Sequence, residues 1–76
     1  PERGPSPSTI GRRIRDTEQE MARAQRAVDR LRERLGTTTD HRQLATIGAE
    51  LADAQAELDQ LEERWLELAE LQTGTA

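Results

Sequence analysis

Two runs of apolar residues, each spaced alternately by three and four, decide what this 76-residue chain can fold into. The first passes through Ile10, Ile14, Thr17, Met21, Ala24, Val28, Leu31 and Leu35, with Thr17 its only polar member. The second passes through Leu44, Ile47, Leu51, Ala54, Leu58, Leu61, Trp65 and Leu68. A repeat with a mean period of 3.5 lines up on one stripe of an α-helix, and that stripe is buried only against another helix. Composition by itself is divided, and the periodicity decides. Ile, Leu, Val and Phe together supply 13 of 76 residues, in the range where a chain stays disordered. Ala, Glu, Leu and Arg supply 40 of the 76, the makeup of coiled coils and long helices. The expected fold is all-α, a two-helix antiparallel coiled-coil hairpin.

The boundaries follow from local chemistry. Pro1, Gly4, Pro5, Ser6, Pro7 and Ser8 offer no apolar face, so residues 1–8 read as a flexible linker. Ser8 or Thr9 can cap a helix over residues 9–35, and Gly36 stands where a left-handed C-cap is wanted. Residues 36–40, "GTTTD", form the connecting loop. Asp40 followed by Gln43 resembles a capping box opening a second helix over residues 41–72, and residues 73–76 read as a disordered tail. So short a connector cannot return the chain to its starting end, and the helices must therefore run antiparallel.

Facing layers in such a pair set an a position against a d position, and two registers satisfy this. Where facing residue numbers sum to 75, Leu31 meets Leu44 and Ile10 meets Trp65; where they sum to 82, Leu35 meets Ile47, Thr17 meets Trp65 and Ile14 meets Leu68. The tighter loop favours the first. Flanking charges favour the second, which sets Arg34 beside Glu50 and Glu20 beside Arg64, and although exposed pairs contribute only about 0.3–1 kcal/mol each, the second is the register expected. In either register Trp65, the only aromatic residue, lies on the second seam. It reads as an anchor over the open end of a thin core, with stacking on a base or a partner as the functional alternative.

Several function classes are excluded. There is no phosphate-binding loop of the G-x-x-x-x-G-K-[ST] type, no Ser/His/Asp or Cys/His set and no Cys at all, so this segment is not an enzyme and has no thiol-based zinc site. His41, beside Asp40, has no partner of metal-ligating type and spacing and reads as an exposed first-turn residue. Asp59, Glu62, Glu63, Glu67 and Glu70 occupy the outer and flanking faces of a straight helix, without the looped oxygen cage that calcium needs. No apolar run approaches the length of a membrane span, and the start lacks a signal-peptide core, which predicts a cytoplasmic protein with no membrane partner. A start at Pro1 rather than Met suggests a processed product or a fragment of a longer protein.

Charge divides along the chain. Residues 8–35 hold eight Arg against five acids, and residues 41–72 hold two Arg against eight acids. Within the first helix Arg12, Arg15, Arg23, Arg26 and Arg30 fall at f, b, c, f and c positions, opposite the seam. They form one outward stripe about 27 Å long. A guanidinium is always charged and its planar fork matches phosphate oxygens, so these five are the candidate nucleic-acid-binding residues. The alternative is a solvated face partly balanced by Asp16, Asp29 and Glu33. With Trp65 packed there is nothing left to stack on bases, so binding of duplex DNA or ribosomal RNA would be sequence-tolerant and salt-sensitive.

The segment "DHRQLATIGAEL" followed by "AELDQLEERWLELAEL" resembles the C-terminal domain of ABC-F family ATPases of the Uup type. In that family a linker after the second ATP-binding cassette leads into an antiparallel coiled-coil hairpin. Its second helix commonly closes with an acidic pair, an Arg or nearby residue, Trp, and a Leu/Glu run, as Glu62, Glu63, Arg64, Trp65, Leu66 and Glu67 do here. The resemblance covers residues 16–71. It departs in the connector, where many relatives carry a longer loop with Asp-Pro and an aromatic. The resemblance implies a cytosolic parent that uses ATP and Mg in its nucleotide-binding domains, with no cofactor in this segment, and that acts on DNA or the ribosome. The expected function is therefore a non-catalytic nucleic-acid-binding C-terminal domain, as a monomeric hairpin. The competing expectation is a protein-interaction or self-association hairpin.

Overall fold

The computed structural model describes residues 7–73, and over them the chain is two antiparallel helices, α1 from Pro7 to Thr37 and α2 from His41 to Gln72. Together they form a rod of 58 × 19 × 14 Å. The expected linker lies outside the described residues up to residue 6, as does the expected tail from residue 74 onward.

Helix α1 is two residues longer at each end than the span expected from its seam. At the start, Pro7 stands in the first turn, where its missing N–H loses no helical hydrogen bond and its fixed φ suits the helix. Ser8 and Thr9 are consequently inside the first turn and not at its cap. At the other end Gly36 is not the left-handed cap that its position suggests: it lies within the helix with no positive φ. Threonine hydroxyls close the helix instead. Thr37 Oγ1 donates to the carbonyls of Glu33 and Arg34, each at 3.3 Å, and Thr38 Oγ1 donates to Arg34 O at 2.6 Å. These carbonyls belong to the last turn, whose acceptors otherwise lack partners.

Residues 38–40 then turn the chain over. Asp40 is the N-cap of α2, with extended backbone, and its Oδ1 accepts from the N–H of Arg42 at 2.8 Å and of Gln43 at 3.4 Å. Thr73 closes α2 through its own N–H to Ala69 O at 3.0 Å and its hydroxyl to Glu70 O at 3.0 Å.

Both seams face inward. Ala24, Val28, Leu58 and Leu61 form one buried cluster, with Met21, Leu51 and Ala54 packed against it. Ile10, Ile14 and Leu68 form a second cluster toward the open end, with Trp65 packed against it. These memberships select the register in which facing numbers sum to 82. The other register would set Ile14 against Leu61, yet Leu61 belongs to the cluster of Ala24, Val28 and Leu58, and Ile14 to that of Leu68. Contacts away from the seam agree. A Cβ built on Gly11 would lie 3.7 Å from Gln72 Nε2, and Glu20 and Arg64 line one shallow groove.

Thr17, the one polar seam residue, is 5% exposed and lies opposite Trp65 in this register. Among the described residues no buried side-chain nitrogen or oxygen lacks a hydrogen-bond partner. The polar layer therefore carries no desolvation penalty for an unsatisfied group.

Candidate nucleic-acid interface

The seam fixes which way each arginine points. Because Ile14, Met21, Ala24 and Val28 must face α2, the b, c and f positions of α1 are turned to solvent. Arg12, Arg15, Arg23, Arg26 and Arg30 are all exposed. Arg23 stands at the edge of a shallow groove with Glu20, Ala27 and Glu57.

Nearby acids determine whether that charge is available. Two of the five acids in α1 are held by neutral donors. Gln25 Nε2 donates to Asp29 Oδ1 at 3.0 Å, which ties the carboxylate lying between Arg26 and Arg30 to an amide. The Trp65 indole N–H donates to Glu18 Oε2 at 2.9 Å. Among the described residues none of the five guanidiniums is engaged by a carboxylate. Asp29 keeps its charge and still offsets part of the field of Arg26 and Arg30, but its oxygen is hydrogen-bonded to Gln25.

Three other arginines, Arg32, Arg13 and Arg64, are used differently. Arg32 Nη2 reaches across to Gln55 Oε1 at 3.3 Å, and Gln55 Nε2 donates onward to Asp59 Oδ1 at 3.2 Å, a chain that links α1 to the acidic side of α2. Arg13 and Arg64 line the groove near the open end with Asp16, Glu20 and Glu67. They serve the helix junction more than the outer face.

Trp65 is half-buried against the Ile10, Ile14 and Leu68 cluster, with its N–H committed to Glu18. Its body fills the seam and its polar edge is satisfied, the arrangement of an anchor. Sequence reasoning missed Glu18 as the partner of the indole. The available signal was the register itself, since Glu18 adjoins Thr17, which faces Trp65.

Helix α2 presents the opposite charge. Glu50, Asp53, Glu57, Asp59, Glu62, Glu63, Glu67 and Glu70 are all exposed, which makes this side of the rod anionic. His41 is exposed at the first turn of α2. Among the described residues no three acidic, His or Cys side chains come together as a metal site, and no helix is long and apolar enough to cross a membrane.

No curated protein and no solved structure matches the chain. A family model does, that of the ABC transporter C-terminal domain, over residues 10–70. The match begins at Ile10, the first seam residue of α1, and ends in the last turn of α2, so it spans both helices of the hairpin. The chain belongs to the ABC transporter C-terminal domain family and is a C-terminal domain of an ABC-type protein.

Proposed function

We propose that this domain is the non-catalytic, nucleic-acid-binding hairpin of a cytoplasmic ATP-binding protein of the ABC-F class, Uup type, with DNA or ribosomal RNA as its target. The observation that carries the reading is the row of five exposed guanidiniums on α1, none held by a carboxylate among the described residues. Support comes from the family, whose members are C-terminal domains of ABC-type proteins, and from the ending Glu62 to Glu67, which carries the Uup-type resemblance. In this reading ATP and Mg belong to the cassettes of the parent. The hairpin supplies charge on a stiff rod.

Binding works through displaced counterions. If each of the five arginines neutralises one phosphate of duplex DNA, log K falls against log salt with a slope of about -4.5, or about 500-fold weaker binding between 50 and 200 mM salt. The test is an anisotropy titration of duplex DNA and ribosomal RNA fragments across that range, with wild type and with Arg15→Gln/Arg23→Gln/Arg26→Gln. The triple variant leaves two contacts and a slope near -1.8, about a 12-fold change over the same range. Absence of binding at low salt, or a slope indifferent to the three substitutions, refutes the reading.

A protein-interaction hairpin is the second reading, and it is favoured by Leu66 and Leu71, which are 56% and 53% exposed on the acidic helix. Sedimentation over a range of concentrations separates its self-association form. A strict monomer at high concentration eliminates it.

A further inference from the structure

The five arginines are not evenly spread. Arg12 and Arg15 form one group and Arg23, Arg26 and Arg30 another, and on the outer face between them lie Asp16, Gln19 and Ala22, all exposed. From Arg15 to Arg23 the rise is about 12 Å. That length is also the approximate width of the major groove of B-form DNA, whose two phosphate walls flank a recess about 8.5 Å deep. We infer that α1 lies across the major groove of duplex DNA as a bridge, with Arg12 and Arg15 on one backbone and Arg23, Arg26 and Arg30 on the other. The inference rests on the nucleic-acid reading above and deepens it by naming the form of the target.

Two observations support a bridge over a rod that tracks a single backbone. Gln19 is the residue on the outermost f position of the interval, where a phosphate-tracking stripe would gain from an Arg. The molecule also lacks a stacking platform for unpaired bases, because its only aromatic is packed in the seam with its N–H bonded to Glu18. Single strands therefore offer it one backbone and nothing more. A-form RNA is a poorer fit: its major groove is narrow, and its wide groove is shallow, so its floor meets the middle of the rod.

The experiment uses the full chain and three labelled probes of one sequence, namely a DNA duplex of about two turns, the RNA duplex and the DNA single strand, each titrated from 50 to 200 mM salt. The proteins are wild type, Gln19→Arg, Arg12→Gln/Arg15→Gln and Arg23→Gln/Arg26→Gln/Arg30→Gln, with circular dichroism to verify that each remains helical. The expected result is at least tenfold tighter binding of duplex DNA than of either other probe. Removal of either arginine group should abolish that preference, because one surviving group grips only one backbone. Gln19→Arg should leave the salt slope on duplex DNA unchanged. A slope steeper by about 0.9 in Gln19→Arg shows a sixth phosphate contact and overturns the bridge. Equal affinity for duplex and single strand, or for DNA and RNA duplexes, also overturns it while leaving the nucleic-acid function standing. Absence of binding to all three probes at 50 mM salt overturns both.

Discussion

Leu58 and Leu66 are the same residue type on the same helix, eight positions apart, yet Leu58 is 5% exposed within the main cluster and Leu66 is 56% exposed. Truncation of each to Ala deletes the same atoms from the two environments. For Leu58→Ala three buried carbon groups are lost, at about 0.8 kcal/mol each, or about 2.4 kcal/mol. A residual cavity adds to this, with Leu→Ala changes in rigid cores reaching about 5 kcal/mol. A two-helix layer is open on both flanks and closes partly around the gap, which holds the figure near the transfer term. Better helix propensity of Ala returns about 0.2 kcal/mol. The expected loss is about 2–3 kcal/mol. Leu66→Ala removes atoms already half in water and should cost below about 1 kcal/mol.

A domain of this length has a total stability of about 4–11 kcal/mol, so Leu58→Ala removes a large share of it. Urea unfolding followed by circular dichroism at 222 nm measures both variants against wild type. A midpoint independent of protein concentration shows that the seam closes within one molecule. Losses from the two truncations that agree within about 0.5 kcal/mol, or a larger loss at Leu66, would refute the inward-facing seam and with it the outward placement of the arginines.

Three further outcomes follow from the same geometry. Asp40→Ala removes the acceptor for two free N–H groups of α2 and should cost about 1 kcal/mol, read as a lower urea midpoint at constant slope. Gly48→Ala should stabilise by about 0.5–1 kcal/mol, because Gly48 is helical and a Cβ there meets no atom within 4 Å; a thermal melt should rise by several degrees, and a fall would show a hidden clash. Glu18→Leu leaves the Trp65 N–H without its carboxylate, whereas Glu18→Gln keeps an acceptor; the first should shift Trp65 fluorescence and lower stability by about 1 kcal/mol, and the second should do neither. Indistinguishable spectra for the two variants would show that the bond does not hold the indole.

Much of the hairpin is legible in the chain because its rules are local. Alternate spacing of three and four from Ile10 to Leu35 and from Leu44 to Leu68 can be satisfied by helices that share a seam and by little else. Asp40 is a cap because its short carboxylate reaches the next N–H groups whatever lies beyond. Placement of Arg12, Arg15, Arg23, Arg26 and Arg30 on the outer face also follows from counting, since inward seam positions force b, c and f outward. The C-terminus of α1 was misjudged for a physical reason: glycine permits a left-handed cap but does not require one, and the hydroxyls of Thr37 and Thr38 supplied the needed hydrogen bonds by another route.

By itself the sequence determined two helices, their antiparallel return and the side on which positive charge stands. Only the tertiary structure decided the offset between them, because a seven-residue repeat looks the same after a slip of one heptad and every local rule is met by either sum. The clustering of Ile14 with Leu68, and of Leu61 with Ala24 and Leu58 apart from Ile14, chose between the two. The same holds for the state of the arginine face. The carboxylates of Asp29 and Glu18 accept from Gln25, a helical turn away, and from the Trp65 indole, across the seam, and the second of these partners depends on the offset.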